Sequence, residues 1–155
     1  DKVAHMLQPL AKAVDVELSC QVEPGCMLLA TEDDLYQVAF NLMENAIKYT
    51  QEGGAIKVRL IRSGRDAVMT VTDNGPGMPE EVVESLLNPN GPAAAAGAKG
   101  SGIGFRNVHR RIRLTFGADY GLTIFSEPDD GTTVRIRLPA LDEEAARRYR
   151  KEGEA

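Results

Sequence analysis

The order in which strand-like and helix-like stretches follow one another constrains this chain most. Two pairs of strand-like runs follow one another, about 55–62 with 66–72 and about 120–126 with 132–138. Each pair is joined by a short turn, Ser63-Gly64 in the first and Pro128-Asp129-Asp130-Gly131 in the second. Runs joined in this way form antiparallel hairpins. Around them lie three stretches with apolar residues at helical spacing. These are residues 2–14, where Val3, Met6, Leu7, Leu10 and Val14 recur, then 32–50, and then about 103–116, which Gly117 ends. A shorter helix opens after Pro79 and reaches about Leu87, since the fixed φ of proline suits a first turn. Strands and helices do not alternate regularly, so a doubly wound parallel sheet is excluded. The expected architecture is α+β, a two-layer sandwich with a mixed, mostly antiparallel sheet covered on one face by about three helices.

Two further runs, Val16–Val22 and Met27–Ala30, read as strands joined by the turn at Pro24-Gly25. That reading sets Cys20 and Cys26 opposite each other across a hairpin, as small buried residues in a reducing compartment. His5 and His109 stand at no ligand-like spacing from either cysteine. The 155 residues fit one domain with a core at about 15–139. Residues 88–100, rich in Gly, Ala and Pro without an apolar anchor, are expected to be mobile. The charged tail, 141–155, is expected to fray. A net charge of −5 and the lack of a clustered basic stripe argue against a nucleic-acid partner. No apolar run approaches the roughly 20 residues of a membrane span, and Asp1–Leu10 lacks the basic lead of a signal peptide. A cytoplasmic domain without membrane contact is the expectation.

Three places carry chemistry. On the helix 32–50, with Thr31 placed to cap it and three acidic residues in its first turn, Asn41, Asn45 and Lys48 share one stripe with Glu44 beside them. Leu35, Ala39, Leu42, Met43, Ala46 and Ile47 take the opposite side. An ordinary solvated face would also suit that polar stripe. The segment Asp73-Asn74-Gly75-Pro76-Gly77-Met78 directly follows an apolar strand. Its glycines let a ligand approach the backbone, and Asp73 offers an acceptor for an exocyclic amine; a plain surface turn is the alternative. Finally, Lys99-Gly100-Ser101-Gly102-Ile103-Gly104 leads into a helix, whose N-terminal amides favour an anion such as phosphate. This is neither the dinucleotide fingerprint nor a Walker loop, because Phe105 and Arg106 stand where the lysine and hydroxyl would come.

In this order and spacing the residues resemble the ATP-binding domains shared by histidine kinases, type II topoisomerases, heat-shock chaperones of the 90-kilodalton class and mismatch-repair ATPases. The run from Asn41 to Thr50 is similar to the N box of histidine kinases, Asp73–Gly77 to the first glycine box, Gly100–Gly104 to the second, and Gly131-Thr132-Thr133 to the last. The match spans roughly 31–139. The run Gly102–Val108, with Arg110-Arg111-Ile112 and Tyr120-Gly121, further resembles the LytS-like group. The resemblance implies ATP and Mg²⁺ as ligands. Asn45 would hold the metal with support from Asn41, Lys48 would reach the phosphates, and Glu44 would polarise the incoming nucleophile. Tyr49 would stack near the adenine, whose amine would bond to Asp73. Gly75 and Gly77 would admit the base, Gly100, Gly102 and Gly104 would close over the phosphates, and Thr132 would back the adenine through a water.

It also implies a sensor histidine kinase whose phosphoacceptor lies on a separate dimerisation domain, with a response regulator downstream. Asn41 stands where the ATPases of the superfamily carry their water-activating glutamate, so slow hydrolysis is expected. The phenylalanine-bearing box before the glycine loop is missing, no dimerisation hairpin is present, and His5 lacks the neighbours of a phosphoacceptor. The start at Asp1 suggests a piece of a longer protein. Two other readings stand beside this one: a serine kinase of the anti-sigma-factor type, and a degenerate module that binds partners without nucleotide.

Overall fold

The structure is a computed structural model that describes residues 2–28, 32–88 and 101–153. Among these residues five helices, α1 (Lys2–Ala13), α2 (Glu32–Tyr49), α3 (Glu80–Leu87), α4 (Ser101–Phe116) and α5 (Glu143–Gly153), accompany six strands. The strands are β1 (Glu17–Val22), β2 (Met27–Leu28), β3 (Ala55–Ser63), β4 (Asp66–Asp73), β5 (Gly121–Ser126) and β6 (Thr132–Leu141). They form one mixed sheet in the order β1-β3-β4-β6-β2, with β5 also paired to β6. Among the described residues only the β1–β3 pairing is parallel. The expected α+β sandwich with a mostly antiparallel sheet is what forms.

The two hairpins follow from alternation. Because successive side chains leave a strand on opposite faces, the register stacks Val58, Val71, Val134 and Ile124 in one row and Leu60, Met69, Ile136 and Leu122 in the next. Nearly all of these are buried, and Ile136 is 0 % exposed. The opposite face carries Lys57, Arg59, Thr72, Thr123 and Arg135, all exposed, as an antiparallel sheet with one wet face allows. On the covered face α2 contributes Val38, Leu42, Met43, Ala46 and Ile47, α4 contributes Phe105, Val108 and Ile112, and α1 contributes Val3, Ala4, Leu7 and Ala11. Val38 joins this core although the polar–apolar stripe of the helix did not single it out. In α1 the buried stripe is rotated from the expected one, leaving Met6, Leu10 and Val14 each more than 40 % exposed.

Three expectations are corrected. β1 and β2 do not form a hairpin: β1 runs parallel to β3, and β2 pairs with the end of β6 at Ala140 and Leu141. Pro24-Gly25 makes a turn, but the chain leaves it for the far side of the sheet, because β3 offers β1 a longer partner than the two-residue β2. Cys20 is therefore exposed, Cys26 is half-buried, and they form no disulfide. The charged tail does not fray throughout. Asp142 caps α5 by accepting the Ala145 N–H at 2.6 Å, and Ala146 is buried. The expected mobile segment, apart from Asn88, lies outside the described residues, as do Thr31 and Gly100. No helix among the described residues is long and apolar enough to cross a membrane.

Candidate functional site

β4 ends at Asp73, whose register partners are Ile56 on β3 and Thr132 on β6. Asp73 therefore sits on the covered side of the sheet, beyond the last apolar row. Its carboxylate accepts the Gly75 N–H at 2.9 Å and the Thr132 N–H. Burial nonetheless holds its pKa above the ordinary carboxylate value of 3.8, the two backbone hydrogen bonds offsetting only part of the desolvation. Asn74 latches the chain sideways, exchanging bonds with Ala55 through its side-chain oxygen (2.8 Å) and its own N–H (3.3 Å).

The loop after Asp73 is held by the second hairpin. Asp129 N–H donates to the Pro76 carbonyl at 2.7 Å, and Met78 N–H donates to Ser126 Oγ at 2.9 Å. Ser126 Oγ also lies 2.9 Å from the Gly131 carbonyl and 2.8 Å from Thr132 Oγ1. Close packing explains the glycines. At Gly77, with φ +68°, a Cβ would overlap the Glu127 carbonyl, and at Gly131, with φ +75°, it would overlap the Asp73 carbonyl. Gly75 is buried behind Asp73, against the Tyr49 carbonyl.

Between α2 and this end of the sheet lies a cavity of about 200 Å³. Asn45, Tyr49, Asp73, Gly77 and Thr132 line it, with Met78, Val82 and Phe105 among its apolar walls. The structure thus brings a side-chain amide from a helix and a carboxylate from a strand to one hollow. Asn41, Glu44 and Lys48 do not line it. They continue along α2, where Lys48 Nζ lies 3.7 Å from Glu44 Oε1. Gly102 and Gly104 fall in the first turn of α4. That helix starts two residues earlier than the expected Ile103, so its amide-rich N-terminus is made by the glycine segment itself. Arg106 fixes the helix to its neighbour by donating to the Leu86 and Ser85 carbonyls at 3.2 and 3.3 Å, which satisfies the last turn of α3.

Sequence reasoning missed Ser126, Met78, Val82 and Phe105. Ser126 was accessible by counting register across the second hairpin, which places it opposite Thr132. The apolar walls have no local signal, because a hydrophobic residue on a helix is expected in the core whether or not a cavity lies beside it.

The cavity is smaller than the roughly 300–1,000 Å³ of drug-sized ligand pockets, so it suits one flat ring system, single or fused. Apolar walls would cover the faces of that ring, an acceptor would meet a donor on its edge, and the rest of the ligand would extend along α2. The described residues contain no group of three or more His, Cys, Asp or Glu able to hold a metal unaided. Asn45 offers a hard oxygen donor, which suits a cation held chiefly by a ligand's own oxygens.

Fold and site define a pocket for one flat ring system between a helix and a mixed sheet, with a glycine-rich helix start nearby. Residues 30–142 match the family described as histidine kinase-, DNA gyrase B- and HSP90-like ATPase, and the chain belongs to that family. It is 39% identical over 106 residues to the sensor histidine kinase YesM of Bacillus subtilis (strain 168), a match covering 66% of this chain and 16% of that protein. It is 34% identical over 115 residues to the adaptive-response sensory kinase SasA of Synechococcus sp. (strain CC9311), covering 72% of this chain and 29% of that protein. The chain therefore spans less than a third of the length of either relative. Its fold is similar to the catalytic domain of the histidine kinase ThkA, with a TM-score of 0.70 at 21% identity over 89% of this chain and 88% of that one.

Proposed function

We propose that this chain is the catalytic domain of a sensor histidine kinase, in the cytoplasmic portion of a membrane-bound sensor, that binds ATP with Mg²⁺ and passes the γ-phosphoryl to a histidine on a separate dimerisation domain. A response regulator would receive it next. The observation that carries this reading is the convergence of Asn45 and Asp73 on one ring-sized cavity beside the N-terminus of α4.

Asp73 accepts from the 6-amino group of adenine, Gly77 lines the space for the base while Gly75 seats Asp73 from behind, Tyr49 covers a ring face, and Thr132 backs the edge. Asn45, supported by Asn41, would hold Mg²⁺ jointly with the phosphate oxygens, where the ion neutralises charge. Lys48, 3.7 Å from Glu44, would exchange that partner for a phosphate. Its departure leaves the Glu44 carboxylate able to accept from the incoming imidazole. Gly100, Gly102 and Gly104 offer backbone amides to the phosphates. Phosphoryl transfer needs chiefly positioning and charge stabilisation, which these groups supply. Asn41 cannot take a proton from water, so the domain alone hydrolyses ATP slowly.

Calorimetric titration with a non-hydrolysable ATP analogue and Mg²⁺ tests the reading: binding is expected, and none at millimolar ligand overturns it. Asn45→Ala should lower phosphoryl transfer at least about 100-fold, since it removes a group that positions the transferring phosphate. Labelled ATP and a histidine-bearing helical hairpin should give an acid-labile phosphohistidine; label found only on serine of an anti-anti-sigma-type protein would transfer the assignment to that kinase class.

A further inference from the structure

β5 pairs on one side with β6 and on its other side faces α4. An edge strand exposes N–H groups that no strand accepts, and Leu122 N–H is one of them. His109 of α4 meets it: the Leu122 N–H donates to His109 Nδ1 at 3.0 Å. A peptide N–H can only donate, so Nδ1 carries no proton and the neutral ring holds its hydrogen on Nε2. Burial, followed by the field of Arg113, keeps the imidazole below its ordinary pKa of 6.5 and so neutral. Gly121 makes the approach possible. With φ +135°, a Cβ there would lie 2.7 Å from His109 Nδ1 and 2.9 Å from Cε1, too close for any other residue to stand without moving the ring.

His109 lies one helical turn beyond Phe105, which is buried and forms part of the cavity wall. Residues at i and i+4 share a helix face, so a fixed point at 109 sets both the rotation and the height of 105. The same helix begins at Ser101, where the phosphate-facing amides lie.

We propose that His109 is a positioning residue for the nucleotide cavity: by accepting the Leu122 N–H against Gly121, it clamps α4 to the edge of the sheet and so holds Phe105 in the pocket wall. The clamp is made by His109, Gly121 and Leu122, outside the N box and the glycine boxes. This inference rests on the nucleotide-binding reading, and its test separates the two.

The measurement is the dissociation constant for ADP with Mg²⁺, in the unmodified chain and three variants. His109→Leu keeps the bulk but cannot accept, and ADP binding should weaken about tenfold, as a misplaced wall would cause. His109→Asn places an amide oxygen near the position of Nδ1 and should stay within about twofold of the unmodified chain. Val16→Ala, at the opposite edge of the sheet, serves as a control for general destabilisation and should leave binding unchanged. Leu122 amide exchange should quicken in His109→Leu and not in His109→Asn. Equal ADP affinity in His109→Leu and the unmodified chain overturns the clamp, as does equal weakening in His109→Leu and His109→Asn. Should His109→Leu not fold, Gly121→Ala, which pushes the ring off Leu122, is expected to weaken ADP binding similarly; unchanged binding there also overturns the proposal. Absence of ADP binding by the unmodified chain would instead overturn the nucleotide reading, leaving amide exchange to report on the clamp alone.

Discussion

At the scale of single residues, the site is set by backbone conformations that only glycine holds and by one carboxylate kept where water is scarce. Gly77 combines a positive φ with a packed neighbour, the Glu127 carbonyl. Gly77→Ala should therefore lose on the order of 1–3 kcal/mol of stability from the backbone strain, with more from the overlap, and a thermal melt would show it as a lower Tm. Asp73 carries a pKa raised by burial above 3.8. The sign follows from linkage: a raised folded-state pKa means the fold favours the protonated form, so this group's stabilising contribution is present below 3.8 and is lost as pH rises through the folded value. The proposed adenine contact needs the other form, because a protonated carboxyl has lost acceptor capacity toward an amine. ADP affinity should thus fall on acidification at a pH above 3.8, read by calorimetry at a series of pH values. An affinity that holds down to pH 3.8 would contradict this role for Asp73.

Between elements, α4 matters most, because it reaches from the glycine segment to the edge of the sheet. His109 has its pKa lowered by burial and by Arg113, and its neutral form accepts the Leu122 N–H. A depressed folded-state value contributes stability that is present above 6.5 and lost as pH falls through the folded value. The melting temperature of the unmodified chain should therefore drop more between pH 7 and pH 5 than that of His109→Asn, whose acceptor does not titrate; parallel pH profiles would count against the bond. The tail shows the converse of a legible element. Its charge suggested fraying, yet α5 forms because Asp142 caps it and one alanine, Ala146, is buried. Composition alone cannot report the burial of a single small residue.

For the whole molecule, stability rests on the rows of side chains stacked between sheet and helices. Ile136 sits at the centre, flanked by Met69 and Leu122 and wholly buried. Ile136→Ala should cost roughly 2–5 kcal/mol and lower Tm by on the order of 10 °C, measurable by calorimetry or circular dichroism. A loss below about 1 kcal/mol would mean that the core relaxes around the gap. The same rows explain why the two hairpins could be read directly: period-two alternation and turn residues act between neighbours in sequence. The β1–β2 hairpin could not be rejected in that way, because its local signals were equally good. Only competition from β3 for β1 decided against it, and that contest takes place between segments more than 30 residues apart.

The amino-acid order alone determined the hairpins, the polar stripe along α2, the loop from Asp73 to Gly77 and the glycine-rich start of α4. Each of these depends on spacing within one element or one turn, where covalent geometry fixes which side chains are neighbours. Tertiary packing decided that Asn45 and Asp73 share a hollow while Asn41, Glu44 and Lys48 stay outside its walls. It also decided that Phe105 closes one side and that His109 meets an edge amide. Those relations depend on the angle and height at which helices settle on the sheet. Close packing among many distant side chains sets that position, and no stretch of sequence encodes it by itself.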